Sequence, residues 1–221
     1  MTLSKYIDHT LLKATATEND IIQLCNEAKE YHFYAVCVNS CYVPLCRDTL
    51  HGSEIKIASV IGFPLGAMDT ASKISEAKNA IKNGADEIDM VINIGFLKTQ
   101  QYDLVENEIR QIKSQIDNKI LKVIIETCYL TDDEKKIATM IVVNAGADFV
   151  KTSTGFGTGG ATLEDIAIIK SITQNKIQIK ASGGIRDFET AKKYIEIGVT
   201  RIGTSNGIQI VTGQKGNEQT Y

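Results

Sequence analysis

Two lysines stand where apolar strands give way to polar loops, and they are the residues of this sequence best suited to covalent chemistry. Lys151 follows an apolar pair and precedes the run 152–155, while Lys180 follows an alternating apolar stretch and precedes the run 181–184. Apolar residues that break into Ser, Thr and Gly are typical of a strand that ends in a loop. An ammonium at a buried strand end costs several kcal/mol to desolvate, so it needs a partner, a route to water or a chemical use.

Two such lysines on neighbouring strands indicate a chemical role more strongly than one lysine does. Lys151 alone is better explained as a salt-bridged or snorkelling residue, but a like charge close by lowers the pKa of a lysine and frees its lone pair. Lowering that pKa from about 10.4 to near 7 corresponds to roughly 3 units, or about 4 kcal/mol. A second ammonium about 4 Å away, at an effective dielectric constant of about 20, supplies on the order of 4 kcal/mol. Lys180 is therefore predicted to make Lys151 a nucleophile.

The elements that must position these lysines alternate between apolar strands and amphipathic helices. Helical patterns cover residues 17–28, 42–50, 70–82, 104–116, 131–144, 163–172 and 188–197. The strand candidates that alternate with them start near eight positions: Tyr6, Phe33, Ile55, Glu87, Ile120, Asp148, Ile177 and Thr200. Strands that alternate with helices favour a parallel sheet, and eight such units favour a closed (β/α)8 TIM barrel. No linker composition interrupts the pattern, so we expect one α/β domain over residues 1–221, with a short flexible tail from about 213 to 221.

The carboxyl ends of the strands are where a barrel of this kind carries its chemistry. The polar or small residues predicted at those ends are Asp8, Cys37, Asp89, Glu126, Lys151, Lys180 and Gly203. Such a ring of charges is either a reaction centre or a salt-bridge network that closes the mouth of the barrel. Glycine-bearing loops at 182–186 and 203–206, after the seventh and eighth strands, with 158–162 nearby, favour a bound phosphate.

The combination of features predicts carbonyl chemistry through a Schiff base. A nucleophilic lysine, a second lysine, a carboxylate for proton transfer and a phosphate anchor together suit a reaction that makes or breaks a carbon–carbon bond next to an imine. Two other functions fit the same residues. One is a phosphosugar isomerase or epimerase in which Lys151 acts only as a base or a cation. The other is a non-catalytic barrel that binds a phosphorylated metabolite behind a salt-bridged rim.

Composition excludes several classes of partner. The formal charge of -3 and the isoelectric point near 5.7 argue against nucleic acid and membrane surfaces. Three histidines without metal-ligand spacing indicate no metal site, and we expect no cofactor. Five cysteines, an odd number without C-x-x-C spacing, indicate a reducing compartment. No apolar run has the length of a signal peptide or a membrane span, so a cytoplasmic protein is expected.

Four motifs resemble those of the deoxyribose-phosphate aldolase family, in order and over essentially the whole chain. They are DHTLL at 8–12, ADEIDMV at 85–91, FVKTSTG at 149–155 and KASGGIR at 180–186, and the last two are the most specific. The resemblance implies a metal-independent class I aldolase that interconverts 2-deoxy-D-ribose 5-phosphate with D-glyceraldehyde 3-phosphate and acetaldehyde, in deoxyribonucleoside catabolism. It also implies a homo-oligomer, either a dimer or a tetramer.

The resemblance also assigns roles to residues. Lys151 matches the Schiff-base lysine, Lys180 the neighbour that lowers its pKa, and Asp89 the proton-relay residue. Asp8 matches a supporting carboxylate, and Tyr221 a C-terminal tyrosine that transfers a proton at the acetaldehyde carbon. The residues that match substrate-binding and phosphate-binding positions are Cys37, Thr154, Gly183, Gly184, Gly203 and Ser205. An ordinary buried strand cysteine is an equally good interpretation of the first of these.

Two positions depart from the family pattern. Phe156 stands where some members carry a basic residue, so a phosphate contact from that position is not expected here. Ser40 follows Asn39 where a proline is expected, and this change affects the loop rather than the chemistry.

Overall fold

Eight short strands, rich in Ile and Val, pair in parallel around a closed ring in the computed structural model, which describes residues 3–214. The strands are β1 (Ile7–Leu11), β2 (Ala35–Asn39), β3 (Lys56–Ile61), β4 (Glu87–Val91), β5 (Ile120–Ile124), β6 (Phe149–Lys151), β7 (Gln178–Ser182) and β8 (Arg201–Thr204). Each strand pairs with the next along the chain, and β8 pairs with β1. The predicted (β/α)8 barrel is confirmed, and every strand begins within two residues of its predicted start.

The helices lie between the strands and cover the outside of the ring. They are α1 (Glu18–Glu30), α2 (Val43–Thr49), α3 (Thr70–Asn83), α4 (Ile94–Lys98), α5 (Tyr102–Gln115), α6 (Asp132–Asn144), α7 (Leu163–Thr173), α8 (Phe188–Glu196) and α9 (Gly207–Thr212). Short 3-10 helices cover Leu3–Tyr6, Ser40–Tyr42 and Thr127–Tyr129. Sequence periodicity missed α4 and α9, because five or six residues are too few to establish a helical repeat.

Capping groups define several helix ends. Thr17 and Asp20 form a capping box at the start of α1, and Thr131 and Glu134 form another at the start of α6. Gly84 ends α3 in the left-handed conformation with φ 117°, which only glycine adopts without strain. These residues therefore fix the first residues of α1 and α6 and the last residue of α3.

The main apolar core lies between the strands and the helices, whereas the inside of the ring is largely charged. Successive strand residues point to opposite faces, so Glu87 and Asp89 of β4 face the ring interior while Ile88 and Met90 pack against the helices. A small apolar cluster also lies inside the ring, and it comprises Leu12, Cys37, Ala58 and Val60, with Phe63 packed on it.

The prediction that polar residues mark strand ends was wrong for four of them. Asp8 is the second residue of β1, and three others occupy the middle of their strands: Cys37, Asp89 and Lys180. A polar residue after apolar ones suggests a strand end, but in this barrel it is an inward position, where the carboxylates and the ammonium are paired with one another. Lys151 does end β6.

Within residues 3–214, no helix combines the length and apolar character needed to cross a membrane. The predicted tail falls mostly outside this range, and so does Tyr221, so the tail and the domain boundaries stay predictions.

Candidate active site

The two lysines predicted to act together lie side by side. Lys151 and Lys180 are register partners on β6 and β7. Their ammonium nitrogens donate to the same oxygen, Oδ2 of Asp89, at 2.8 and 2.7 Å. Lys151 is 2% exposed and Lys180 is fully buried, so both charges are removed from bulk water. The carboxylate therefore stands between two amines, at a distance from which it can exchange a proton with either.

Asp89 is a carboxylate in the resting site because lysine side chains surround it. Its second oxygen, Oδ1, accepts a bond of 2.7 Å from Nζ of Lys122. Burial would raise the pKa of Asp89, but the charges of Lys122, Lys151 and Lys180 hold that pKa well below its usual range. The thiol of Cys37 lies 4.0 Å from Oδ2, and burial raises its pKa, so this cysteine is a neutral thiol beside the centre.

Asp8 fixes Lys180 in its charged form. The carboxylate of Asp8 accepts from Nζ of Lys180 and, at 2.6 Å, from Nη1 of Arg201. Burial would raise the pKa of Asp8, but Arg201, Lys180 and Lys122 lower it below its usual range. Burial likewise disfavours the charge on Lys180, but Asp8 and Asp89 raise the pKa of that amine well above its ordinary value. Lys180 therefore remains an ammonium.

Lys151 is perturbed in the opposite direction. Burial lowers its pKa, Asp89 partly offsets that effect, and the charge of Lys180 lowers the pKa further. The sequence predicts that the neighbouring lysine alone lowers this pKa. In the structure burial is the larger cause, and the charge of Lys180 adds to it.

A second charged layer below this centre was not assigned a role from the sequence. Glu87 accepts from Nζ of Lys122 at 2.5 Å and from both Nη atoms of Arg201 at 3.0 and 3.2 Å. The guanidinium of Arg201 lies 3.5 Å from the ring centre of Tyr34. A lysine in the middle of an apolar strand, as in the ILKVI run of β5, was the available signal.

The ion-paired cluster inside the ring contains one more basic side chain than carboxylates. It contains three carboxylates, from Asp8, Glu87 and Asp89, and four basic side chains, from Lys122, Lys151, Lys180 and Arg201. The cluster is neutral when one base gives up its proton. Among the four, the pKa of Lys151 is lowered, whereas the pKa values of the other three are raised. The cluster as a whole therefore favours a neutral amine at Lys151.

A cavity of about 230 Å³ lies between the loops that follow β6, β7 and β8. Gly183 and Gly184 line it with φ values of 84° and 79°, and Arg186 and Ser205 contribute polar side chains. Gly160 lies so close to Gly183 that a Cβ on Gly160 would meet the Gly183 carbonyl oxygen at 2.3 Å. The two predicted phosphate loops therefore meet at one cavity.

Two other predicted binding residues lie beside this cavity. Gly203 is in β8, where a Cβ would lie 3.1 Å from Cε of Lys180, so it gives that side chain room. Thr154 immediately precedes the cavity lining, and its N–H and hydroxyl both donate to Glu126, a residue to which the sequence gave no role.

The two departures from the family pattern have clear positions. The ring of Phe156 meets Phe63 edge to face, with centroids 5.3 Å apart, so this contact bridges the loops after β3 and β6. The hydroxyl of Ser40 donates to Glu76 at 2.8 Å, and the other oxygen of Glu76 accepts from the Gly62 N–H at 2.9 Å. Ser40 thus supports the loop after β3 from outside the ring.

Among the described residues, no group of three or more His, Cys, Asp or Glu side chains is arranged to hold a metal ion.

Comparison with known proteins identifies the family. Residues 2–211 match the family described as DeoC/LacD family aldolase. The chain is 58% identical over 213 residues to deoxyribose-phosphate aldolase from Finegoldia magna, covering 96% of this chain and all of the relative. It is 55% identical over 211 residues to the Coprothermobacter proteolyticus enzyme of the same name, covering 96% of each chain.

A solved structure agrees with these sequence matches. The tetrameric deoxyribose phosphate aldolase from Aeropyrum pernix superposes with a TM-score of 0.87 at 32% identity, covering 95% of this chain and 89% of that one. The chain therefore belongs to the DeoC/LacD family of aldolases, among the deoxyribose-phosphate aldolases, which are carbon–carbon lyases.

Proposed function

We propose that the enzyme cleaves 2-deoxy-D-ribose 5-phosphate reversibly to D-glyceraldehyde 3-phosphate and acetaldehyde through a Schiff base on Lys151. The observation that carries the proposal is the ion-paired cluster inside the ring, in which the pKa of Lys151 is lowered while its basic neighbours stay charged. A neutral amine fixed beside permanent cations is the state that attacks a carbonyl.

The reaction follows from that neutral amine. Nζ of Lys151 adds to the C1 aldehyde of the open-chain sugar, and loss of water gives a protonated imine. The C3 hydroxyl then loses its proton, the C2–C3 bond breaks, and the bonding pair moves into the imine to form an enamine and release glyceraldehyde 3-phosphate. Protonation of the enamine at C2 restores an imine, and water releases acetaldehyde and the free lysine.

Asp89 is suited to move protons during these steps, because one of its oxygens is within hydrogen-bond distance of both Lys151 and Lys180. Its negative charge also stabilises the positive imine while it forms. Lys180, held charged by Asp8 and Asp89, opposes reprotonation of Lys151 between turnovers.

The phosphate end of the sugar is proposed to enter the cavity between the loops after β7 and β8. Gly183 and Gly184 allow the backbone N–H groups to approach an anion, and Ser205 and Arg186 add a hydroxyl and a positive charge. Cys37 lies beside Asp89 in the small apolar cluster inside the ring, where it would face the acetaldehyde carbons.

Product analysis tests this function against its alternatives. Incubation with 2-deoxyribose 5-phosphate in D2O is expected to release glyceraldehyde 3-phosphate and acetaldehyde that carries deuterium in its methyl group, because the enamine takes its proton from solvent. An isomerase or epimerase would give another pentose phosphate without acetaldehyde. A binding protein would leave the sugar unchanged.

Four further properties belong to the same proposal. The chain forms one domain, it assembles into a homo-oligomer, and Tyr221 transfers the proton at the acetaldehyde carbon. The free state of all five cysteines favours a reducing compartment, as expected for deoxyribonucleoside catabolism in the cytoplasm. Light scattering on the purified protein tests the assembly directly.

A further inference from the structure

Glu126 adopts a backbone conformation that few residues other than glycine tolerate. It lies two residues past the end of β5, with φ 54° and ψ 69°, and its side chain is almost fully buried. Neighbouring bonds hold it there: the Thr127 N–H donates to the carbonyl of Thr152 at 3.0 Å, and the Tyr129 N–H donates to the carbonyl of Glu126 at 3.1 Å. A strained residue that its surroundings hold in place is often part of a functional site.

The carboxylate of Glu126 binds both donors of Thr154, three residues after Lys151. The Thr154 N–H lies 3.1 and 3.3 Å from the two carboxylate oxygens, and the Thr154 hydroxyl donates to Oε2. That hydroxyl in turn accepts from the Phe156 N–H at 3.0 Å. The carboxylate of Glu126 therefore fixes the direction of the chain just after β6, the strand that ends in Lys151.

The loop that begins at Thr154 then folds over the same carboxylate. A Cβ on Gly157 would lie 3.3 Å from Cδ of Glu126 and 2.7 Å from the Cys128 sulphur, so the loop backbone passes directly above the glutamate. The far end of the loop is fixed by the Ala161 N–H, which donates to the carbonyl of Ser182 at 3.1 Å. Between these two attachments, the loop forms one wall of the 230 Å³ cavity.

We propose that Glu126 is a positioning residue that sets the loop after β6 as a wall of the phosphate cavity, and so determines preference for phosphorylated over unphosphorylated sugars. The proposal rests on the function proposed above and adds a residue to it. Burial raises the pKa of Glu126, and the bonds from Thr154 partly offset that effect, as expected for a carboxyl turned away from water into the loop.

Replacing Glu126 by glutamine removes one of its two acceptor oxygens while keeping the size and shape of the side chain. The amide oxygen of Gln can replace only one of the two carboxylate oxygens, so the Thr154 N–H and hydroxyl must share that oxygen or one of them loses its acceptor, and in either case the negative charge that both donors face is removed. In Glu126→Gln, KM for 2-deoxyribose 5-phosphate is expected to rise about 10-fold or more, the effect of one lost hydrogen bond to a charged group. Its kcat/KM for unphosphorylated 2-deoxyribose is expected to change less than about 3-fold.

Variants of Thr154 test the same hydrogen bond by changing its donor instead of its acceptor. Thr154→Val removes the hydroxyl and keeps the N–H, and Thr154→Ser restores the hydroxyl. Valine is expected to reproduce the loss of preference, and serine to retain the wild-type preference. The double variant Glu126→Gln/Thr154→Val is expected to lose little more than either single variant, because both act through one bond.

Glu108→Gln is the matched control, because Glu108 is a buried glutamate in an ion pair with Lys73 outside the ring. It is expected to lower the melting temperature without changing the ratio of kcat/KM values for the two substrates. Equal losses on both substrates in Glu126→Gln, or an unchanged KM, would overturn the role of Glu126. The proposed function has a separate test. If wild-type protein treated with acetaldehyde and borohydride forms no reduced adduct, the function itself is overturned, whatever the Glu126 variants show.

Discussion

Replacing Lys180 by methionine is expected to move the pH dependence of imine formation to higher pH. The nitrogens of Lys151 and Lys180 lie 2.8 and 2.7 Å from the same oxygen, which places them at most about 5.5 Å apart. At an effective dielectric constant of about 20, two charges at that distance repel by about 3 kcal/mol. Removing Lys180 is therefore expected to raise the pKa of Lys151, and about 3 kcal/mol corresponds to a change of about 100-fold in the acid dissociation constant of that ammonium.

The assay is the initial rate of borohydride trapping with acetaldehyde between about pH 6 and pH 10. Near pH 7 the variant is expected to react about 100-fold more slowly than wild type, and to recover as the pH rises through the new pKa of Lys151. Lys73→Met is the matched control, because it removes a fully buried lysine outside the ring and leaves the charges around Lys151 unchanged. A loss in Lys180→Met that does not depend on pH would refute the electrostatic argument and indicate damaged folding, which circular dichroism measures independently.

Three other perturbations have defined outcomes. Lys73→Met is expected to reduce the free energy of unfolding in urea by about 3–5 kcal/mol, because it leaves Glu108 buried without its partner, and additional replacement of Glu108 by leucine should restore much of it. The contribution of Asp8 and Asp89 to stability is expected to be complete above about pH 5 and to be lost in acid, because their depressed pKa values make the unfolded chain take up protons first; stability that does not fall between about pH 5 and pH 3 would contradict this. Tyr221→Phe is expected to slow cleavage about 100-fold while trapping survives, and wild-type turnover would exclude the role.

The pairing of the two lysines could be predicted because it depends only on strand order. Neighbouring parallel strands bring equivalent positions together, and Lys151 and Lys180 each follow an apolar run on consecutive strands. The glycine-bearing loops after the last two strands could be found for the same reason. Both features follow from a pattern along the chain and need no knowledge of side-chain direction.

The second charged layer could not be predicted, because it depends on which face of each strand points into the ring. Glu87, Lys122 and Arg201 lie within their strands, and their charges are tolerated only because they meet one another across the barrel. These contacts depend on the register of three strands at once. The sequence also could not rank the causes of the lowered pKa of Lys151, since burial and the position of Asp89 are tertiary properties.

The role of Glu126 was hidden for a local reason. Its left-handed backbone turns the side chain back toward Thr154. A glutamate two residues past a strand carries no sequence signal that predicts a positive φ. Its place after β5 was visible, but its partner 28 residues further along the chain was not.

Mass mapping of the reduced acetaldehyde adduct identifies the lysine that forms the imine. The protein is incubated with acetaldehyde, reduced with borohydride, digested and mapped by mass spectrometry. We predict a single ethylated lysine, Lys151, which is lost in Lys151→Met and retained in Lys73→Met. An ethyl group on Lys180 instead, or no modified lysine in a protein that turns over substrate, would contradict the account.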